Sequence, residues 1–187
     1  MLTPKHVSEL IQTVIKKVWL EDIKKDYDKL SLLKESSLQV TFCYHLRRRL
    51  GDDFLDQHNI KLYPEYEIGD QKADLAIVVI DPNMAKEKHL KYCTKEVISV
   101  IEMKHKNEKA PEKCFNDDVT KTLSYIKKSN SNTMYYLAFI REMYFNADDV
   151  TNWVTSKQAL KVKGQLTELY SYGDLQTNKM IWDFIEH

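Results

Sequence analysis

Apolar residues near the start of the chain recur at three- and four-residue intervals: Val7, Leu10, Ile11, Val14, Ile15 and Val18. That is the period of a helix with one buried face. Thr3-Pro4 stands where an N-cap and a first helical residue are expected. The charged stretch 21–29 either prolongs this helix or connects it to the next. A second helix is predicted over 34–50, where Leu38, Phe42, Leu46 and Leu50 step by four and Gly51 ends the run. The period then shortens to two. Positions 60–68 alternate and read as a strand, with Pro64 marking an edge or a bend, and Gly69-Asp70 signals a turn. The run KADLAIVVI over 72–80 reads as a largely buried strand. A charged connection over 85–95 leads to a third strand, EVISVIEMK, over 96–104.

A polar loop is expected over 106–111, then a helix over 117–128 with Val119, Thr122, Leu123 and Ile126 inward. The β-prone TMYYLAFI over 133–140 predicts a fourth strand. Residues 141–187 read as a mixture of short helical and turn segments. The order helix, helix, strand, strand, strand, helix, strand predicts an α/β (α+β) fold, with a central mixed sheet of four or more strands flanked by helices. One domain is expected over 1–187, with a core over 33–140, an N-terminal helical part over 1–32 and a C-terminal extension over 141–187.

Composition narrows the class. The 187 residues are 43% hydrophobic, which marks a folded chain. Lys+Arg and Asp+Glu are 28 each, so charge-driven coating of nucleic acid or membrane is disfavoured, while a local basic groove stays open. Three cysteines, Cys43, Cys93 and Cys114, lie far apart with no CxxC and are expected to be reduced thiols rather than zinc ligands. Nothing approaches the roughly 18 apolar residues of a membrane span, and the N-terminus lacks the apolar core of a signal peptide, so the expected compartment is the cytoplasm.

The anomaly is polar residues in apolar strands. Asp74 shares a face with Ala76, Val78 and Ile80, and Glu102 and Lys104 share one with Ile98 and Val100. A carboxylate on such a strand needs a cation. Antiparallel pairing of the second and third strands sets Asp74 opposite Glu102, with Lys104 beside them. Two carboxylates at that distance suit a hard cation, Mg²⁺ or Mn²⁺, whose bound water becomes a nucleophile and whose charge screens a phosphate. Lys104 then orients or deprotonates that water, or stabilises developing charge. The backbone carbonyl of Met103 is a further candidate ligand. Glu35, on the stripe of Leu38, Phe42 and Leu46, reads either as a third carboxylate for the metal or as an acid favouring a helix N-terminus.

This arrangement resembles the PD-(D/E)xK nuclease superfamily, with its restriction-endonuclease-like fold. It combines Glu35 on a helix, Asp74 in GDQKADLAIV, Glu102-x-Lys104 in VISVIEMKHK, then a helix and a strand. The resemblance spans roughly 34–140. It implies Asp74 and Glu102 as metal ligands, Lys104 as the motif lysine, and Glu35 as the first-helix glutamate of part of the family. It also implies that Lys121 and Tyr125, four apart on the following helix, face the site or the nucleic-acid backbone, with Lys106 a further contact. Ala73 stands where the family often has proline. The implied activity is a divalent-metal-dependent endonuclease, a phosphodiesterase acting on DNA, with RNA second. A homodimer fits the cutting of both strands of a duplex.

Plainer accounts exist for each residue alone: Asp74 as a strand-start residue, Glu102 and Lys104 as a solvated pair at a sheet edge. The three in this order favour a site. Glu65 and Glu67 read as outward-facing. His105 points away from Glu102 and Lys104, His45 reads as a core histidine, and His6 and His89 as surface residues. Trp153, Trp182 and Phe184 are expected to tether the tail. For phosphate contacts, segment 86–113 holds eight lysines against five glutamates, and Arg47, Arg48 and Arg49 form a second basic cluster; 165–187 has four acids and one lysine. The competing function is a non-catalytic nucleic-acid-binding or assembly module on the same fold. A nucleotide phosphohydrolase is a weaker third, without a Gly-rich phosphate loop or a GxSxG elbow.

Overall fold

A computed structural model describes residues 3–129, 132–162 and 164–187. The chain enters through α1 (Lys5–Lys17), which buries Val7, Ile11, Val14 and Ile15. Thr3 does not cap this helix: its N–H and hydroxyl both donate to the Glu96 carboxylate at 2.7 Å, and the helix starts after Pro4. The charged stretch prolongs it, through one π-helical turn (Val18–Ile23) and α2 (Lys24–Asp28). Next come α3 (Glu35–Leu50) and the short α4 (Asp52–Gln57). Gly51 separates these two at φ +82°, a backbone state a side chain disfavours.

The strands are β1 (Ile60–Ile68), β2 (Gln71–Ile80), β3 (Thr94–Asn107), β4 (Met134–Phe145), β5 (Leu166–Asp174) and β6 (Lys179–Glu186). Two short 3-10 turns fill the charged connection before β3. Helix α5 (Lys113–Lys128) joins β3 to β4, and α6 (Ser156–Val162) precedes β5. The six strands form one mixed sheet in chain order. β1–β2, β2–β3 and β5–β6 are antiparallel, while β3–β4 and β4–β5 are parallel. The architecture is α/β, a mixed six-stranded sheet flanked by helices. Pro64 lies on an edge strand, where the missing N–H costs no ladder bond.

One core packs α1, the π turn and α3 against Leu75, Ile77, Ile101, Met103, Tyr136 and Ile140. A second packs Phe115, Val119 and Tyr125 of α5 against Val100, Tyr135, Leu137 and Phe139.

Three departures from the sequence pattern have physical causes. The α5 helix begins four residues before 117, because Phe115 is needed in the second core. The register between β2 and β3 slips between Ile77↔Ser99 and Val78↔Val97, and Ile98 packs in the first core while Val100 packs in the second. Strict alternation had placed those two together. The segment after 140, expected to mix short helical and turn pieces, instead holds the rest of β4 and two strands that hydrogen-bond onto it in turn. Trp182 packs its ring 4.8 Å from Trp19, and Trp153 stacks at 4.4 Å on Phe115, so both do fasten this part of the chain to the body.

Candidate active site

The backbone ladder between β2 and β3 ends at Leu75↔Ile101. One residue further the same register sets Asp74 against Glu102. Here the side chain takes over from the ladder: the Met103 N–H donates to Asp74 Oδ2 at 2.6 Å. From α3, Gln39 Nε2 donates to the Asp74 carbonyl at 2.5 Å and to Glu65 Oε1 at 3.3 Å, so that helix braces the parting strands. Glu65 itself sits at φ +52°, a left-handed residue within edge strand β1.

Glu102 is 1% exposed. Its Oε2 accepts from Lys121 Nζ at 2.8 Å, and the Tyr125 hydroxyl lies against the same carboxylate. Burial and the neighbouring Asp74 push its pKa up to about 8, against the pull of Lys121. Burial also raises Asp74, opposed by the Met103 N–H and Lys121. Lys104 pairs with Asp118 at 2.9 Å and with Glu35 at 3.1 Å. Burial works against its charge, but the two acids outweigh that, and its pKa is raised. Lys104 is therefore an ammonium at neutral pH. Burial raises Asp118 despite Lys104. Lys106 lies 3.6 Å from Glu35.

The spacing explains this convergence. On α5, Asp118, Lys121 and Tyr125 follow one another at intervals of three and four, so they share a helix face. That face lies over the end of β3 where Glu102 and Lys104 stand two apart. Tyr125 is buried against the acids: burial, then Glu102, raises its pKa. The structure thus brings together Asp74, Glu102, Lys104, Glu35, Lys106, Lys121 and Tyr125. It adds two residues that the sequence reading passed over, Asp118 and Gln39. The signal for Asp118 was available, since it stands three before Lys121 on the stripe that carries Tyr125. Gln39 had none, because a glutamine on a helix surface is ordinary.

Glu35 heads α3, as the first-turn reading has it, and its carboxylate meets lysines. Among the described residues no group of three or more His, Cys, Asp and Glu is disposed to hold a metal ion. What the site offers a cation is the pair Asp74 and Glu102, set on neighbouring strands where the ladder ends. These are hard oxygen donors. Mg²⁺ is commonly held by one or two carboxylates while it keeps several waters, so the pair fits such an ion.

The basic cluster on α3 is paired within the chain, while the Arg47 and Arg48 side chains stay more than half exposed. Arg47 binds Asp52 at 2.7 Å, Arg48 binds Asp22 at 2.9 Å, and Arg49 binds Asp22 and Glu21. His45 Nε2 lies 2.6 Å from Asp26 Oδ2 in the same network, a core histidine with a partner. His105 is buried on the other side of β3 from the site, 3.1 Å from Glu142. No helix among the described residues is long and apolar enough to cross a membrane.

No protein-family model, no curated protein and no solved structure matches this chain.

Proposed function

We propose that the protein is a divalent-metal-dependent nuclease of the PD-(D/E)xK kind, with a restriction-endonuclease-like sheet, hydrolysing phosphodiester bonds in DNA and secondarily in RNA. The observation that carries this reading is the parted end of β2 and β3. Asp74 and Glu102 oppose each other there on neighbouring strands, and Lys104 projects two residues beyond Glu102. Asp74 and Glu102 are the residues that would hold Mg²⁺ or Mn²⁺, with the Met103 carbonyl as a further oxygen. The ion, when bound, supplies a water of lowered pKa and screens the phosphate charge.

The chain's own residues do the rest. Asp118 and Glu35 keep Lys104 protonated, so it donates hydrogen bonds to the charge that develops on the phosphate and does not act as a base. Lys121 donates to Glu102 Oε2 at 2.8 Å, and with a cation on that carboxylate it would be released to meet a phosphate. Lys106 offers a second cation on the same edge. Tyr125 closes the floor behind Glu102. The reading places the protein in the cytoplasm, with a homodimer as the arrangement that cuts a duplex twice.

The test is cleavage of single-stranded and duplex DNA and RNA with Mg²⁺ or Mn²⁺. Wild type should cut; Asp74→Ala and Lys104→Ala should lower the rate by roughly a thousandfold or more while keeping the far-UV circular dichroism of the fold. Undiminished divalent-dependent cleavage in both variants would sink the mechanism.

A second reading, a non-catalytic nucleic-acid-binding or assembly module, draws on one observation. Each lysine of the cluster already faces an acid, as in a purely structural ion network. Calorimetry with Mn²⁺ separates the two. Binding that Glu102→Ala removes favours the nuclease, and its absence together with no cleavage favours the module.

A further inference from the structure

We propose that a cavity beside the C-terminal ends of β4 and β5, apart from the Asp74–Glu102 pair, binds an aromatic anion: a flat ring carrying a phosphate or carboxylate. The cavity measures about 310 Å³ and is lined by Arg141, Phe145, Trp153, Glu168, Tyr170 and Tyr172 among others. It shares no lining residue with the Asp74–Glu102 pair.

Arg141 is the anion-binding element. It is only 5% exposed, and its guanidinium lies 5.1 Å from the centre of the Phe115 ring. Nη2 pairs with Glu112 and contacts the Met143 sulfur at 3.4 Å. Nε and Nη1 are buried with no partner among the described residues. A buried guanidinium that leaves two nitrogens unpaired is costly unless an acceptor meets them.

The acids around the cavity do not meet that need. Both oxygens of Glu168 are taken: Oε1 accepts the Val154 N–H and faces His187 Nε2, each at 2.7 Å, and Oε2 accepts the Trp153 N–H at 2.9 Å. Asp149 accepts from Asn146 at 2.9 Å. Glu112 is half exposed and already holds Nη2. An incoming oxyanion is the acceptor the arrangement lacks.

The walls define the rest of the ligand. Tyr170 and Tyr172 lie 16° from parallel, Phe145 meets Tyr172 edge-on, and Trp153 is held by its stack on Phe115. Such surfaces take a flat ring by stacking and edge contacts. The volume lies near the lower end for small-molecule sites, which limits the ligand to about one ring system and one anionic group.

The experiment is isothermal calorimetry in EDTA, so that the metal pair takes no part and failure here is separate from failure of the nuclease reading. The probes are AMP and indole-3-acetate, with adenosine, indole and inorganic phosphate as partial ligands. Binding of AMP or indole-3-acetate, roughly tenfold or more tighter than its uncharged counterpart, is expected. AMP alone binding identifies a phosphate ligand, and indole-3-acetate alone a carboxylate. Arg141→Gln should erase the preference for the charged probe, and Asp74→Ala should leave it intact. If Arg141→Gln does not fold, Tyr170→Leu serves: it should weaken the ringed anions and leave inorganic phosphate unchanged. The proposal is overturned if neither anion binds, if the uncharged counterparts bind equally well, or if whichever of Arg141→Gln and Tyr170→Leu folds leaves the affinities unaltered.

Discussion

Glu102 is the residue whose surroundings most oppose its chemistry. It is a carboxylate buried beside another carboxylate, with a single lysine in support. Its pKa of about 8 in the folded chain lies above the 4.5 of an unperturbed glutamate. The fold therefore favours the protonated form. Its contribution to stability is fully present below the unfolded value and is lost as pH rises through about 8. Glu102→Gln keeps the shape and removes the titration. Thermal unfolding followed from pH 5 to 9 should show the wild type losing on the order of 4 kcal/mol that the variant retains. Equal slopes for the two proteins would contradict the raised pKa. In the proposed nuclease the same proton would compete with the cation, so Mn²⁺ affinity should rise with pH up to about 8, and calorimetry in two buffers of different ionisation enthalpy should register about one proton released per ion bound. At this scale much was legible: Asp74, Glu102 and Lys104 stood out because each interrupts a run of apolar residues. Asp118 did not, because it sits in a helix start already rich in charge, where a solvated acid is ordinary.

At the scale of elements, α3 joins the two halves of the site. Its first turn presents Glu35 to Lys104 and Lys106, its second presents Gln39 to the β2 backbone, and its last turn ties three arginines to Asp22, Glu21 and Asp52. Within the arginine run, Arg48 and Arg49 tie α3 to the π turn of the entering helix, and Arg47 pairs with Asp52 of α4. Such a run looks the same in sequence whether its partners are phosphates or the protein's own carboxylates. The helix ends because Gly51 turns the chain at φ +82° and ψ 146°, with open space around its α-carbon. Gly51→Ala therefore meets no steric neighbour and tests the backbone alone. Denaturant unfolding should show a loss of about 1–2 kcal/mol, and no loss would mean that α3 and α4 can be joined another way. The bulge in β3 is the element-level feature that alternation did not reveal. It moves Ile98 and Val100 into different cores while leaving Glu102 and Lys104 in step with each other.

At the scale of the molecule, the sheet is completed from its far end. β4 lies between β3 and β5, and β6 covers the edge that β5 would otherwise expose. Glu168 on β5 holds the backbone at Trp153 and Val154 and meets His187. A chain stopped after Gln165 would lose both last strands and leave β4 as an apolar edge. We expect such a truncation to be aggregated or unfolded by size-exclusion chromatography and circular dichroism. A soluble, native-like product would show that the four strands before it suffice. The balance of 28 basic and 28 acidic residues also has its explanation here. Part of that charge is paired within the fold, in networks that bind helix to helix and helix to strand.

The amino-acid order alone determined the two amphipathic helices and the strands of the first two-thirds of the chain, which follow from local period and turn chemistry. It set Asp74 against Glu102 only on the condition that the second and third strands pair antiparallel, and that pairing came with the fold. Tertiary structure decided the rest. LTELYSYGD and KMIWDFIE, as β5 and β6, are mixed in polarity and become strands only when β4 offers them a ladder. Lysines 104 and 121 acquire their partners only when α5 lies over β3, because an ion pair between elements depends on how they pack and has no period that the chain can display.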